Sequence, residues 1–529
     1  MTVTLLRDLV PRIHREHPDL TAKHRHAILA LTPDLADLVG PVPVTLTAGA
    51  LWEERTRFQD GIGRRAAHGV AELLAAYAER TGPVTLTIDP ADSELRAILQ
   101  RRAKSVTIHY GPSAAPEEPT VDAVGDRIER GDFAAAATLA ERATPDSSHD
   151  YRRIRMLHAF SVRKTNPVLA EEILLELQEN AADPNVLLGT HYSLAMLYAT
   201  FHEPGRRDLR HAEALVRKAV KLADELGEAF PRSFQRNALA LLMLRMGRPE
   251  DALELTSEAI RILEAELPDS AREHRAVVYL NRARVLQTLG RLDEAWQGFT
   301  AAIAHDPYFP EYHYYRAGCA RQRGDDEVAV AGYEQAMALS APWPEPYYSR
   351  GDIRAARGDI EGALADFGYV LELDPDHLDA LVNRAALLVE TGGHEAAAAD
   401  VEHGLALDPG NAHLLCTKGL LADNDPAAAR ELFAEALERD PSLTPALVNT
   451  AILDYDEGDF AAAIEKLTQA IERTPEDSAL WFNRGVALEA AGHREKAAEN
   501  YRRALELPSA DRAELLDKLD ALAMGTTIA

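Results

Sequence analysis

Four asparagines occupy one phase of a repeating segment: Asn281, Asn383, Asn449 and Asn483, with Tyr315, Ser349 and Thr417 at the intervening turns of the period. An amide side chain both donates and accepts, so a row of amides suits an extended peptide backbone whatever its side chains. The position before it reads Leu280, Tyr314, Tyr348, Val382, Cys416, Val448 and Phe482, a nearly unbroken apolar row suited to side-chain anchors. The position after it reads Arg282, Arg316, Arg350, Arg384, Lys418, Thr450 and Arg484. A guanidinium there pairs either with a carboxylate of its own helices, such as Asp366 or Asp400, or with a carboxylate ligand. The candidate peptide-binding residues are therefore Asn281, Asn383, Asn449, Asn483, Tyr314, Tyr348, Phe482, Arg350 and Arg384. Bridging between neighbouring helices is an equally weighted explanation of the Asn and Arg rows.

Other residues with chemical potential form no convincing constellation. Val84 to Asp89 is a β-run ending in an acid and resembles the metal-side strand of an NTPase, so that residues 1–112 followed by repeats resemble signalling NTPases that carry a repeat array. The phosphate cradle is missing: there is no G-x-x-x-x-G-K-[ST], and Lys23 and Lys104 are the only lysines before residue 112. A degenerate or unrelated α/β domain is the expectation, with no cofactor. His14, His17, His24 and His26 cluster in sequence without a nearby cysteine, and exposed helix histidines explain them better than a metal. Arg55, Arg57, Arg64 and Arg65 form a basic patch at the start of a helical pattern; it reads as a solvated face in preference to a site for an anion or for the acidic repeats of a neighbouring chain. No Ser-His-Asp, Cys-His or paired-carboxylate spacing stands out, so no catalytic residue is assigned and no metal.

A strict period is what keeps such rows in line. Ala329, Ala363, Ala397, Ala429, Ala463 and Ala497 follow one another at steps of 34, 34, 32, 34 and 34 residues. Ala317, Gly351, Ala385, Gly419, Ala451 and Gly485 step by 34, 34, 34, 32 and 34, and Gly324, Gly358, Gly392, Gly458 and Gly492 share the phase. The alanines mark close helix–helix approaches, and the glycines end a first helix in a left-handed turn. Asp306-Pro307, Asp374-Pro375, Asp408-Pro409, Asp440-Pro441 and Thr474-Pro475 end the second helix. Phe299, Tyr333, Phe367, Val401, Phe433, Leu467 and Tyr501 are spaced to plug the seam between helices. A unit such as Leu480-Trp481-Phe482-Asn483-Arg484-Gly485, followed by Gly492, Ala497, Tyr501 and Ala504, resembles the tetratricopeptide repeat family. The resemblance implies a mainly α fold, a right-handed superhelix or α-solenoid, whose first helices line a concave face. The asparagines resemble the ladder of peptide-binding members and the Asn of carboxylate-clamp adaptors.

Upstream, the alanine slot recurs at Ala295, Ala252, Ala212, Ala170 and Ala136, at looser steps. This predicts about eleven helix pairs. The expected organisation is a small α/β domain over 1–112, a linker at 113–119, divergent long pairs over 120–268, regular repeats over 269–508, and a capping helix and tail over 509–529. Within 1–112, Val42 to Thr47, Val84 to Ile88 and Val106 to Tyr110 read as strands, with helices on the stripe from Phe58 to Tyr77 and over Asp92 to Ala103, after helical patterns at Leu5 to His17 and Thr21 to Leu31.

Composition narrows the function classes. A hydrophobic content of 46% is that of a packed protein, and no apolar run approaches the roughly 18 residues of a membrane helix. Cys319 and Cys416 are too few for a disulfide framework, which favours a cytoplasmic setting, and the Ala- and Arg-rich usage is a habit of GC-rich bacterial genomes. Residues 1–112 are nearly neutral, with 14 Lys+Arg against 13 Asp+Glu, so the net charge of −28 belongs to the repeats. That sign disfavours nucleic acid and anionic membranes and favours basic partners or partners with apolar anchors. The expected function is a non-enzymatic adaptor or scaffold holding a protein or peptide segment. Its rivals are an enzyme or switch seated in residues 1–112 with the repeats as reader, and a homo-oligomeric scaffold.

Overall fold

The computed structural model describes residues 2–524 apart from 44, 47–61, 89–92, 111–117, 130–132, 145–148, 182, 269, 423–424 and 509. Most of the expected linker, and Asp89 at the end of the acid-terminated strand, lie outside these residues. The chain divides into two compact units, Met1–Arg350 and Gly351–Ala529, and the division falls inside the helix Pro344–Ala356.

The first unit opens with α1 (Thr2–Glu16), α2 (Pro18–Lys23) and α3 (Arg25–Leu31), followed by α4 (Ile62–Thr81) and a β1–α5–β2 crossover. The strands Val84–Ile88 and Val106–Tyr110 pair in parallel around α5 (Ser93–Arg102), with Val84 opposite Val106. Parallel pairing requires such a crossover, so this part of the α/β expectation holds. The expected strand at Val42 to Thr47 does not: none of its described residues is in a strand. Pro43, the second residue of that run, removes a ladder donor, and Pro41 flanks it, against its β-branched composition. Leu6, Val10, Ile13, Ile28, Leu73, Leu74, Leu86 and Leu99 are buried together as one core.

That core is not closed by residues 1–112 alone. Ala341, in the turn before the helix Pro344–Ala356, packs against it. Gly69 of α4 lies so close to α3 that a Cβ there would sit 2.4 Å from the Ala27 Cβ and 3.3 Å from Pro342 Cδ. Arg65 stacks 3.8 Å above the ring of Trp343, itself 3% exposed, and its Nη1 donates to Glu311 at 2.9 Å. The Leu46 N–H donates to Asp306 at 2.7 Å. The N-terminal module is therefore docked on the repeats of its own unit, and Arg65 of the basic patch faces them instead of solvent.

Helix pairs fill the rest. Among the described residues there are eleven, from Val121–Glu129 with Phe133–Glu141 to Ser478–Ala490 with Arg494–Leu505, and then Arg512–Met524. Ala136, Ala170, Ala212, Ala252, Ala295, Ala329, Ala363, Ala397, Ala463 and Ala497 are all fully buried, as close helix approach requires. Phe299, Tyr333, Phe367, Val401, Phe433, Leu467 and Tyr501 are buried in the seams. The in-phase small residue is the seat of the ring: a Cβ at Gly485 would be 2.5 Å from Tyr501 Cε1, and one at Gly419 would be 2.5 Å from Phe433 Cε1. Gly492, with φ of 83°, makes the left-handed turn between helices. Asp359, Asp425 and Asp459 cap second helices by accepting from the N–H groups of Gly362, Ala428 and Ala462.

Buried charge in the second unit is paired. Asp454 accepts from Arg430 at 2.6 Å and from Lys466 at 2.7 Å. Burial by itself raises the Asp454 pKa, but the two cations outweigh it and hold the carboxyl below the ordinary aspartate range. A folded-state pKa below the unfolded one means stability that is present above about pH 4 and lost as pH falls through the lower folded value. Asp454→Asn should therefore lower the melting temperature at neutral pH and flatten its fall below about pH 4. An unchanged acid slope in a differential-scanning series would remove Asp454 from the account.

Candidate functional site

The predicted rows are on first helices throughout, but their members do different work. In the first unit Asn281, on Arg272–Thr288, is buried, and its Nδ2 donates to Asn237 Oδ1 on Ala229–Arg245 at 3.0 Å. This amide bridges two first helices. Tyr314 is half-buried, with its ring edge-on to Trp343 at 5.5 Å and to Tyr315 at 5.4 Å. Tyr314 and Tyr315 also line a cleft of about 320 Å³ with Arg284 and Gln287. Tyr348 is half-buried on Pro344–Ala356, and Arg350 on the same helix donates to Glu334 at 3.1 Å.

In the second unit Arg384 makes a two-point contact with the buried Asp400, at 2.7 and 2.6 Å, joining the first helix of its pair to the second. This is the carboxylate pairing expected of the arginine row. Asp366 is paired as well, but with Arg354. Arg484 donates to Asn500 at 2.8 Å and to Thr468 at 3.1 Å, and lies over Trp481. Asn383 and Asn449 are half-buried, and Asn449 Nδ2 is 4.0 Å from Cys416 Sγ, a weak contact. Burial pushes the Cys416 thiol up to about 11, so it is protonated and inert near neutral pH. Asn483 is half-buried, and among the described residues no hydrogen bond engages its amide. Beside it, Phe482 packs on Tyr501 with ring centroids 5.7 Å apart.

Among the described residues no group of His, Cys, Asp and Glu is arranged to hold a metal. The clustered histidines are not the exposed ones expected, since His24 is buried and the other three are half-buried: His14 Nδ1 meets Thr21 Oγ1 at 2.7 Å, His17 packs edge-on to Tyr77, and His24 lies near Glu72. Burial lowers the His24 pKa, which keeps the ring neutral. No described helix is long and apolar enough to cross a membrane.

Two features escaped the sequence reading. One is the docking of α4 on Trp343, whose outward sign is Ala341-Pro342-Trp343-Pro344 where other repeats place Asp-Pro. The other is a cavity of about 660 Å³ in the divergent pairs, among residues 152 to 245. These helices lack the strict period, so no recurring slot announced it.

A family model for the tetratricopeptide repeat matches residues 280–344, 348–412 and 448–512. No curated protein matches the chain. Among solved structures, a tetratricopeptide repeat protein from Parabacteroides merdae is 17% identical, covering 47% of this chain and 98% of its own, with a TM-score of 0.41. YrrB, described as a TPR protein with an unusual peptide-binding site, is 19% identical over 37% of this chain and 97% of its own, with a TM-score of 0.31. The Cut9–Hcn1 hetero-tetramer of the APC/C supplies a chain that is 13% identical, covering 90% of this chain and 98% of its own, with a TM-score of 0.42. The segments 280–344, 348–412 and 448–512 are thus matched as tetratricopeptide repeats, and the buried alanine slot and seated rings recur in step with them.

Proposed function

We propose that this protein is a binding scaffold, without catalysis of its own in the repeats, and that first-helix rows of the second unit hold an extended peptide segment. The observation that carries the reading is Asn483: a half-buried amide with no hydrogen bond among the described residues, one residue from the apolar side chain of Phe482. A side-chain amide in that state has its donors and acceptor available for a backbone. Asn383 and Asn449 share its slot on Leu378–Glu390 and Thr444–Asp456. Arg384 is assigned to holding the helices, through Asp400, instead of the ligand.

The test is a random peptide library selected on the intact chain, followed by affinity measurements on Asn383→Ala, Asn449→Ala and Asn483→Ala combined. Each lost hydrogen bond is worth about 0.5–1.5 kcal/mol net, so selected peptides should weaken by roughly tenfold to several hundredfold. The melting temperature should move little. Intact binding with a large fall in melting temperature would show that these amides only bridge helices.

A further inference from the structure

The 660 Å³ cavity of the first unit lies between the first helices His149–Val162, Pro184–Met196 and Ala229–Arg245, in the size range of ligand pockets. Its floor is apolar, with Met156, Phe160, Tyr192, Met196, Phe201 and Phe234 among its walls. Tyr192 and Phe234 meet edge-to-face at 5.0 Å and form a wall shared with a second hollow of about 340 Å³ that reaches Asn281. Large apolar side chains left half-exposed around a concavity are what an apolar anchor would cover.

The charges on this cavity run against those of the chain. Acidic residues outnumber basic ones 85 to 57 overall, yet the lining holds Arg152, Arg153, Arg163 and Arg245 against the single carboxylate of Asp183; of these, Arg153 is paired with Asp150 at 3.9 Å, and Arg163 donates to the Phe160 carbonyl and lies over its ring. Asp183 is committed to its own helix, accepting from the Asn185 N–H at 2.9 Å. Arg245 is exposed and its bonds go to uncharged acceptors, the Ala199 carbonyl at 3.0 Å and the Thr200 hydroxyl, so its positive charge is not neutralised by them.

The wall that Arg245 grips is unusual. Helix Pro184–Met196 runs on into a widened turn, Leu197–Phe201, closed by the His202 N–H donating to the Leu197 carbonyl at 3.0 Å, five residues back. Such i to i+5 turns recur at functional sites because they redirect side chains from the regular helical path. This one aims Leu197, Thr200 and Phe201 into the cavity. It is anchored from behind by Glu171, which accepts from the Tyr198 hydroxyl and from Arg206 at 2.7 Å. The wall is thus held in place before any ligand arrives.

We propose that this cavity binds an acidic peptide segment that carries a bulky apolar side chain, the side chain entering between Met156, Tyr192 and Met196 while a neighbouring carboxylate meets Arg245. The site is separate from the asparagine slot of the second unit and does not require that slot to bind anything. Its occupant has the opposite charge to the basic partner that the net charge of the repeats favours.

The experiment uses the intact chain and two variants. Arg245→Glu reverses the rim charge, and Gly189→Phe fills the cavity from a position where an added Cβ meets only Met156 Cε, at 3.3 Å. The probes are peptides selected from a random display library, and fluorescein-labelled copies of them read by anisotropy. A set rich in Asp and Glu with Phe, Trp or Leu should emerge. Its members should bind at least tenfold more weakly to both variants, weaken further with salt, and keep their affinity on the triple asparagine variant. Far-ultraviolet circular dichroism matching the parent keeps a folding defect from being read as lost binding. A selected set with no acidic bias, or acidic peptides indifferent to Arg245→Glu and Gly189→Phe, overturns the proposal. So does competition by dodecanoate with no peptide enrichment, which would make the cavity a site for a small anionic amphiphile. Loss of affinity only on the triple asparagine variant supports the second-unit reading alone.

Discussion

Gly485→Leu is expected to destabilise the second unit by about 3 kcal/mol, at the upper end of the overpacking range. The Tyr501 ring is fully buried, and its hydroxyl donates to Glu489 at 2.9 Å, so the ring cannot swing aside. A Cβ would already stand 2.5 Å from Cε1 and 2.7 Å from Cδ1, and a leucine adds three further carbons in the same direction. The damage should be local, because each helix pair packs chiefly on its neighbours. Amide exchange should quicken in Ser478–Ala490, Arg494–Leu505 and Arg512–Met524 while residues 1–350 stay protected. Adding Tyr501→Ala should recover part of the loss, since the clash and the ring are one interaction. Uniform loss of protection along the chain would contradict the repeat architecture.

Trp343→Ala should cost about 3–5 kcal/mol, the range for removing a buried aromatic side chain. The ring is the floor under Arg65 and an edge-on partner of Tyr314, so its removal opens a hole between the N-terminal module and the repeats. The exchange signature should be distant in sequence: α4 (Ile62–Thr81) loses protection although the altered residue lies in the repeats. Arg65→Ala is the milder comparison, at about 0.5–2 kcal/mol for a partly exposed cation over an indole. If α4 remains protected in Trp343→Ala, docking is not what stabilises the module.

The periodic half of this fold was open to reading because its physics is local. A small residue that seats a ring, or a glycine that turns the chain, recurs at a fixed step and is visible without knowing what it touches. The amide row was legible only as a slot. Asn281 and Asn483 occupy the same phase, yet one is committed to Asn237 and the other makes no hydrogen bond among the described residues. The difference comes from Asn237, which sits in a divergent pair outside the strict period. Long-range contacts carried no period at all. Arg65 and Glu311 are 246 positions apart, and nothing in the run Gly61 to His68 announces a partner there. Gly69 in the middle of a helix and Trp343 at an irregular repeat boundary were signs of close approach, but neither names the other.

The docked module sets a schedule for the chain's synthesis. Its helices leave the ribosome before the repeats do, and the surface that completes their core comes much later. At ~5–20 residues per second, the 246 positions from Arg65 to Glu311 take roughly 10 to 50 seconds to make. Through that interval the face around Gly69 is bare, and the nascent chain is a candidate for chaperone capture. A polypeptide that stops short of Trp343 never leaves this condition, so a truncated product is marked in its early-made helices by what it lacks downstream. Ribosome-stalled chains ending before and after Trp343, compared by limited proteolysis of α4, would time the closure.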